Sequence, residues 1–129
     1  MSVMPVLLVV EDETLLHIAI EDELADAGYD LVFISNGTRA IEELHANGQR
    51  FKALITDIRL GPGPNGWEVA HRARERLPSL PVLYMSGDSA SEWAANGVPN
   101  SVMVSKPFAM SQLVTAISQL ITEADMRSA

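Results

Sequence analysis

The stretch VLLVVED, residues 6–12, places two carboxylates directly after five consecutive apolar residues. A continuous apolar run of this length is typical of a strand that is buried on both faces of a parallel sheet. Open parallel sheets bind their ligands in the crevice outside the carboxyl ends of the strands. We therefore expect Glu11 and Asp12 to lie at the functional edge of such a sheet.

Three further apolar runs end in the same way, each on one polar residue. These residues are Asp57, Ser86 and Lys106. Because residues far apart in the sequence converge at the carboxyl edge of a parallel sheet, we expect all five side chains to meet there. The sequence thus predicts one pocket that holds three carboxylates, a hydroxyl and an ammonium group.

Helical and strand-like segments alternate along the chain, which is the pattern of a parallel sheet built from βαβ units. The Gly- and Pro-rich stretch at 61–66 is predicted to be a surface loop beside the pocket. Residues 89–95 allow only about two helical turns before Gly97 and Pro99 end the helix. We predict five strands alternating with five helices, a shortened fourth helix, and a polar C-terminal tail over about residues 122–129.

The composition narrows the class of protein. The 129 residues suit a single domain, 1–129, with 9 basic and 17 acidic side chains and a formal net charge of −8. Phosphate backbones and lipid head groups are bound chiefly by Lys and Arg, so this charge disfavours nucleic-acid and membrane partners. There is no cysteine, and neither an export signal nor an apolar span of about 20 residues is visible. We expect a cytoplasmic protein.

The predicted pocket has a definite chemistry. Glu11, Asp12 and Asp57 would repel one another, so their convergence at neutral pH requires a cation. Mg²⁺ suits best, because it takes one or two protein carboxylates and completes its shell with water and phosphate oxygens. Phosphoryl transfer needs little beyond positioning and neutralised charge, for which Mg²⁺, Lys106 and the Ser86 hydroxyl suffice. Asp57 would be the nucleophile that forms an aspartyl phosphate.

The same residues resemble the receiver domains of bacterial two-component response regulators. Glu11-Asp12, Asp57, Ser86 and Lys106-Pro107 follow the first, third, fourth and fifth predicted strands, as they do in that family, and the resemblance covers nearly the whole chain. It implies a flavodoxin-like, doubly wound sheet with the strand order 2-1-3-4-5. Since no output domain follows, the chain resembles the single-domain, stand-alone type.

The resemblance also implies a role for each residue. Asp57 would accept a phosphoryl group from a phosphohistidine of a sensor histidine kinase or histidine phosphotransfer protein. The domain would be a signalling phosphoacceptor and not an enzyme, and its phosphorylation would switch protein–protein interactions. Mg²⁺ would be held by Asp12, Asp57 and the backbone carbonyl of Arg59, with Glu11 acting through water. Lys106 would contact the phosphoryl group.

A conformational switch is implied as well. Ser86 would move toward the new phosphate, which in the family lets an aromatic residue three positions before the lysine swing inward. Met103 occupies that position and lacks a ring with a polar tip, so the relay must differ in detail. Arg59 and Asp88 would flank the phosphate. We expect them to pair across its entrance and to lengthen the lifetime of the acyl phosphate.

Other functions remain open. A phosphate sink or shuttle would use the same chemistry, and a pseudo-receiver would bind a partner without being phosphorylated. A haloacid-dehalogenase-like phosphohydrolase typically has a carboxylate two residues after its nucleophile, where this chain has Arg59. A flavin- or nucleotide-binding module needs Gly and hydroxyl residues after the first strand, where acids 11–13 would repel phosphate. For Trp93, core packing and partner contact are equally open.

Overall fold

The computed structural model describes residues 4–128 and contains one sheet of five parallel strands, flanked by helices on both faces. The strands are β1 (Val6–Val10), β2 (Asp30–Ile34), β3 (Phe51–Asp57), β4 (Val82–Ser86) and β5 (Ser101–Ser105). The helices are α1 (Thr14–Asp26), α2 (Gly37–Asn47), α3 (Gly66–Arg76), α4 (Trp93–Asn96) and α5 (Met110–Ser128). Within these described residues, no helix combines the length and apolarity that crossing a membrane would require.

The strand order is β2-β1-β3-β4-β5, which confirms the predicted doubly wound, flavodoxin-like sheet. All neighbouring strands pair in parallel. At the carboxyl edge, Val10 pairs with Thr56 of β3, and Ser86 pairs with Ser105 of β5. This register brings the residues that follow β1, β3, β4 and β5 to one edge of the sheet.

Two hydrophobic clusters cover the two faces of the sheet. Successive side chains of a strand point to opposite faces, so the apolar run of β1 divides between the clusters. Leu8 and Val10 pack with residues of α2 and α3, whereas Leu7 and Val9 pack with residues of α1 and α5. Burial on both faces explains why the central strands lack the alternating pattern of half-exposed strands.

The fourth helix is short, as predicted. A 3₁₀ turn at Ala90–Glu92 leads into α4, which spans only Trp93–Asn96. No residue of either element is buried. Helix α4 is therefore weakly attached to the core compared with the other four helices.

The C-terminal end of the chain differs from the prediction. We expected a polar tail from about residue 122, but α5 continues through Ser128. Ile121 and Ala124 are buried, and Lys52 of β3 forms an ion pair with Asp125 at 2.8 Å. These contacts hold the last turns of the helix against the sheet although most of their residues are polar. Residue 129 of the expected tail lies outside the described residues.

Candidate functional site

The carboxyl ends of the strands bring the predicted polar residues together. Lys106 Nζ donates a hydrogen bond to Asp57 Oδ2 at 3.0 Å and lies 3.6 Å from Glu11 Oε2. The backbone N–H of Lys106 donates to the carbonyl oxygen of Ser86 at 2.7 Å, and the Lys106-Pro107 peptide is cis. The ammonium group therefore lies between two buried carboxylates, beside the end of β4.

Asp57 is held in place through both its carboxylate and its main chain. Its Oδ1 accepts a hydrogen bond from the Ile58 N–H at 2.8 Å, while Thr56 Oγ1 donates to the Asp57 carbonyl oxygen at 2.8 Å. The start of α3 packs so closely that a Cβ atom at Gly66 would collide with the Asp57 carbonyl. The side chain is therefore oriented before any ligand arrives, which favours catalysis by positioning.

Glu11 is the least satisfied polar group of the site. Its Oε1 accepts from the Glu13 N–H at 3.1 Å, but its buried Oε2 has no hydrogen-bond partner among residues 4–128. Burial, and then the negative charge of Asp57, raise the pKa of Glu11 from 4.5 to about 7, although Lys106 acts in the opposite direction. Lys106 alone thus does not offset the burial of this carboxylate and the negative charge beside it.

The arrangement fits a hard cation. Glu11, Asp12 and Asp57 each offer a carboxylate oxygen, and these oxygens lie within 4.8 Å of one another. Burial alone would lower the pKa of Lys106, but hydrogen bonding to Asp57 and the nearby carboxylates raise it above its ordinary value. One ammonium group cannot neutralise three carboxylates, so the site calls for a further cation. Because all the donor atoms are oxygens, Mg²⁺ suits it.

Ser86 and the residues that follow it form a tight turn beside the site. Ser86 Oγ accepts hydrogen bonds from the backbone N–H groups of Asp88 at 3.2 Å and Ser89 at 2.7 Å. The expected pair is present: Arg59 Nε lies 2.8 Å from Asp88 Oδ2, and both side chains are exposed. Ser89 Oγ also donates to Asp88 Oδ1 at 2.9 Å. A hydrogen-bonded chain thus joins Ser86 to Arg59.

The structure also identifies supporting residues that the sequence analysis missed. Thr56, Gly66 and Ser89 fix the backbone or side chains around the site. Tyr84 is fully buried in β4, and its hydroxyl accepts a hydrogen bond from the Val98 N–H at 3.1 Å. A tyrosine inside an otherwise apolar strand was the available signal, because a buried hydroxyl needs a partner. The role of the Arg59 carbonyl as a metal ligand stays a prediction.

Comparison with known proteins places this geometry in a family. The family described as the response regulator receiver domain matches residues 7–118. The response regulator receiver protein CpdR of Brucella abortus is 30% identical over 120 residues, which cover 92% of this chain and 98% of CpdR. Two longer relatives also match, the probable transcriptional regulator ycf29 of Porphyra purpurea and the DNA-binding transcriptional regulator NtrC of Escherichia coli, and this chain spans 59% and 24% of their length.

Solved structures agree with this match. A response regulator receiver protein from Sinorhizobium medicae has a TM-score of 0.90 and 42% identity, with 94% of this chain and 97% of that chain covered. The receiver domain of sensor histidine kinase PA1611 from Pseudomonas aeruginosa, which has a magnesium ion coordinated in its active site cleft, has a TM-score of 0.79 and 23% identity over 93% of this chain and 99% of that one. Fold, acidic pocket and family match agree, and the chain belongs to the family of response regulator receiver domains.

Proposed function

We propose that this receiver accepts a phosphoryl group on Asp57 in a Mg²⁺-dependent reaction and that phosphorylation switches its protein–protein interactions. The observation that carries this proposal is the pairing of Asp57 Oδ2 with Lys106 Nζ at 3.0 Å inside a cluster of three carboxylates. Receiver domains are signalling phosphoacceptors that act with histidine kinases or phosphotransfer proteins. The donor proposed here is a phosphohistidine of such a partner, and the proposed compartment is the cytoplasm.

The reaction requires a nucleophile and two sources of positive charge. A carboxylate oxygen of Asp57 forms the new bond to phosphorus as the bond between phosphorus and the histidine nitrogen of the donor breaks. Asp12, Asp57 and the Arg59 carbonyl would hold Mg²⁺, with Glu11 acting through water, and the ion would supply positive charge to the phosphoryl oxygens. Lys106, whose Nζ lies 3.0 Å from Asp57 Oδ2, supplies a second positive charge. The donor nitrogen keeps the electron pair of the broken bond, and any proton on the other ring nitrogen stays with the donor imidazole.

The hydroxyl of Ser86 takes part after transfer. In the unphosphorylated protein its oxygen is bonded to the turn formed by Asp88 and Ser89. We propose that the hydroxyl then donates to a phosphoryl oxygen on Asp57, which moves the end of β4. This movement links the chemistry to the protein surface, with Met103 in place of the aromatic residue of the usual switch.

Incubation with Mg²⁺ and acetyl phosphate tests the proposal directly. We expect wild-type protein to gain the mass of one phosphoryl group, whereas Asp57→Asn gains none because the amide cannot act as the nucleophile. Removal of Mg²⁺ with EDTA should also abolish the gain. The measurement is the intact mass of each protein over time.

The matched control is Asp30→Asn, which removes an exposed carboxylate from the other end of the sheet. It should gain mass like the wild-type protein. Phosphorylation of Asp57→Asn to the wild-type extent would show that Asp57 is not the acceptor. Absence of any adduct on the wild-type protein, together with no binding of beryllofluoride, would favour a pseudo-receiver.

The ion pair between Arg59 and Asp88 is expected to lengthen the life of the phosphoryl group. It lies beside the acceptor and would hinder the approach of the hydrolytic water. Because exposed ion pairs are weak and screened by solvent, we expect Arg59→Ala and Asp88→Ala to speed decay only about two- to fivefold. The measurement is the loss of the phosphoryl mass after the donor is removed.

Arg72→Ala provides the control for this prediction. Arg72 forms an equally exposed ion pair with Glu75, at 3.4 Å on α3 and away from the site. Its decay rate should match that of the wild-type protein. Unchanged decay in both Arg59→Ala and Asp88→Ala would show that this pair does not shield the acyl phosphate.

A further inference from the structure

The segment 87–98, which carries α4, is attached to the protein mainly near its two ends. Within this described segment only Ser89 and Val98 are buried. A segment with so few apolar contacts has low local stability and moves easily when its hydrogen bonds change. Its position therefore depends on which hydrogen bonds hold each end.

The first end is held by Ser86. The Ser86 hydroxyl oxygen accepts from the N–H groups of Asp88 and Ser89, and no buried apolar residue of 87–93 adds to this attachment. In the proposed function this hydroxyl turns toward the phosphoryl group on Asp57. The turn would then lose both hydrogen bonds and keep only the exposed ion pair between Asp88 and Arg59, so phosphorylation loosens this end of the segment.

The second end is held by hydrogen bonds that do not involve the phosphorylation site. The Tyr84 hydroxyl accepts from the Val98 N–H at 3.1 Å, and Arg74 of α3 donates to the carbonyl oxygens of Pro99 at 2.6 Å and Asn100 at 3.2 Å. Arg74 holds the exposed side of this loop together with His71, whose Nε2 donates to the Asn96 carbonyl oxygen at 2.8 Å, whereas Tyr84 holds it from the core. Tyr84 lies two residues before Ser86, so both side chains point to the same face of β4.

A chain of hydrogen bonds continues from this end to the surface. Ser101 Oγ donates to the Val98 carbonyl oxygen at 2.6 Å and accepts from Trp93 Nε1 at 3.0 Å. Trp93 is 38% exposed, while Tyr84, Val98 and Ser101 are buried. The buried hydroxyl of β4 is thus connected to the largest exposed side chain of α4.

We propose that Tyr84 is a positioning residue that holds Val98 as the pivot of the segment 87–98. When Ser86 releases the other end, the segment turns about this pivot and changes the surface around Trp93. Met103 pairs with Tyr84 in the neighbouring strand β5, and its side chain has no hydroxyl that could accept the hydrogen bond from the Val98 N–H. The inference rests on the proposed function, because phosphorylation of Asp57 is what engages Ser86.

Nuclear magnetic resonance of the indole N–H groups tests the pivot. The chain has two tryptophans, so the Trp93 signal can be assigned with Trp93→Phe. We expect Mg²⁺ and beryllofluoride to displace this signal in the wild-type protein, and the displacement to be largely lost in Tyr84→Phe. Before beryllofluoride is added, amide exchange of Val98 in Tyr84→Phe should be roughly three- to tenfold faster, the factor expected for one lost hydrogen bond.

Tyr29→Phe is the matched control, because it removes the hydroxyl of the other tyrosine, which bonds Ser118 Oγ at 2.8 Å. It should keep the wild-type Trp93 displacement and Val98 exchange. Ser101→Ala breaks the chain beyond Val98, and we expect it to lose the Trp93 displacement while Val98 exchange stays unchanged. This variant tests the same chain if Tyr84→Phe folds poorly.

The outcomes separate this inference from the proposed function. Wild-type displacement and wild-type Val98 exchange in Tyr84→Phe would overturn the pivot. So would an unmoved Trp93 signal in wild-type protein that acetyl phosphate phosphorylates, as shown by intact mass, and the proposed function would then stand without it. Wild-type protein that neither gains phosphoryl mass nor binds beryllofluoride would overturn both.

Discussion

Lys106→Met is expected to slow phosphorylation of Asp57 by acetyl phosphate about 10²–10³-fold, the usual effect of removing one preorganised donor from a site where charge develops. Lys106 Nζ donates to Asp57 Oδ2 at 3.0 Å, so the ammonium lies beside the carboxylate proposed to attack. Methionine keeps an unbranched apolar stem and removes the charge. The measurement is the initial rate at which the phosphoryl mass appears at saturating Mg²⁺.

Lys52→Met is the control for this loss. Lys52 is the other lysine of the chain. It pairs with Asp125 of α5, away from the site. It should be phosphorylated at the wild-type rate. Tryptophan fluorescence should confirm that both variants are folded. A folded Lys106→Met protein with a rate near that of the wild type would contradict the role given to Lys106.

Glu11→Gln is expected to stabilise the metal-free protein at pH 8 by about 1–3 kcal/mol, because it removes a buried carboxylate whose pKa is raised from 4.5 to about 7. Between pH 4.5 and about pH 7, the ordinary and the raised pKa of Glu11, the folded wild-type protein binds more protons than the unfolded chain does. Its free energy of unfolding should therefore fall as the pH rises from about 5 to about 8. Glutamine removes this contribution to the pH dependence.

The same variant should respond less to Mg²⁺. In the wild-type protein the cation neutralises the three carboxylates, so Mg²⁺ should raise the free energy of unfolding most at pH 8, where Glu11 is ionised. Urea unfolding at several pH values, with EDTA and with Mg²⁺, measures both effects. Glu21→Gln, which removes an exposed carboxylate of α1, should behave as the wild type. If Glu11→Gln is no more stable than wild type at pH 8, neither the burial of this carboxylate nor repulsion within the cluster limits stability.

Much of the site was predictable because its geometry follows from a simple rule. Each apolar run of β1, β3, β4 and β5 ends on the residue that faces the pocket, and parallel strands share one carboxyl edge. The convergence of Glu11, Asp57 and Lys106 therefore needed only the strand assignment. The pairing of Arg59 with Asp88 followed from their equal offsets, two residues beyond Asp57 and Ser86.

The end of α5 was harder to predict. Residues 122–128 are mostly polar, and polarity alone does not separate a tail from a solvated helix face. Ile121 and Ala124 are buried, and the contact that holds this end of α5 joins Asp125 to Lys52 of β3, 73 residues earlier in the chain. The local sequence of α5 therefore does not predict this contact.

The sequence by itself determined the fold class, the strand order that the family resemblance implied, and the residues that meet at the carboxyl edge. Hydrophobic periodicity and strand ends are local properties, and they carry the fold class and the convergence of these residues. The strand order came from the family resemblance and not from this local pattern. Only the tertiary structure decided that Glu11 Oε2 is buried without a hydrogen bond and that the Tyr84 hydroxyl holds Val98. Burial and hydrogen-bond partners arise when segments far apart in the chain pack together, so no single stretch of sequence specifies them.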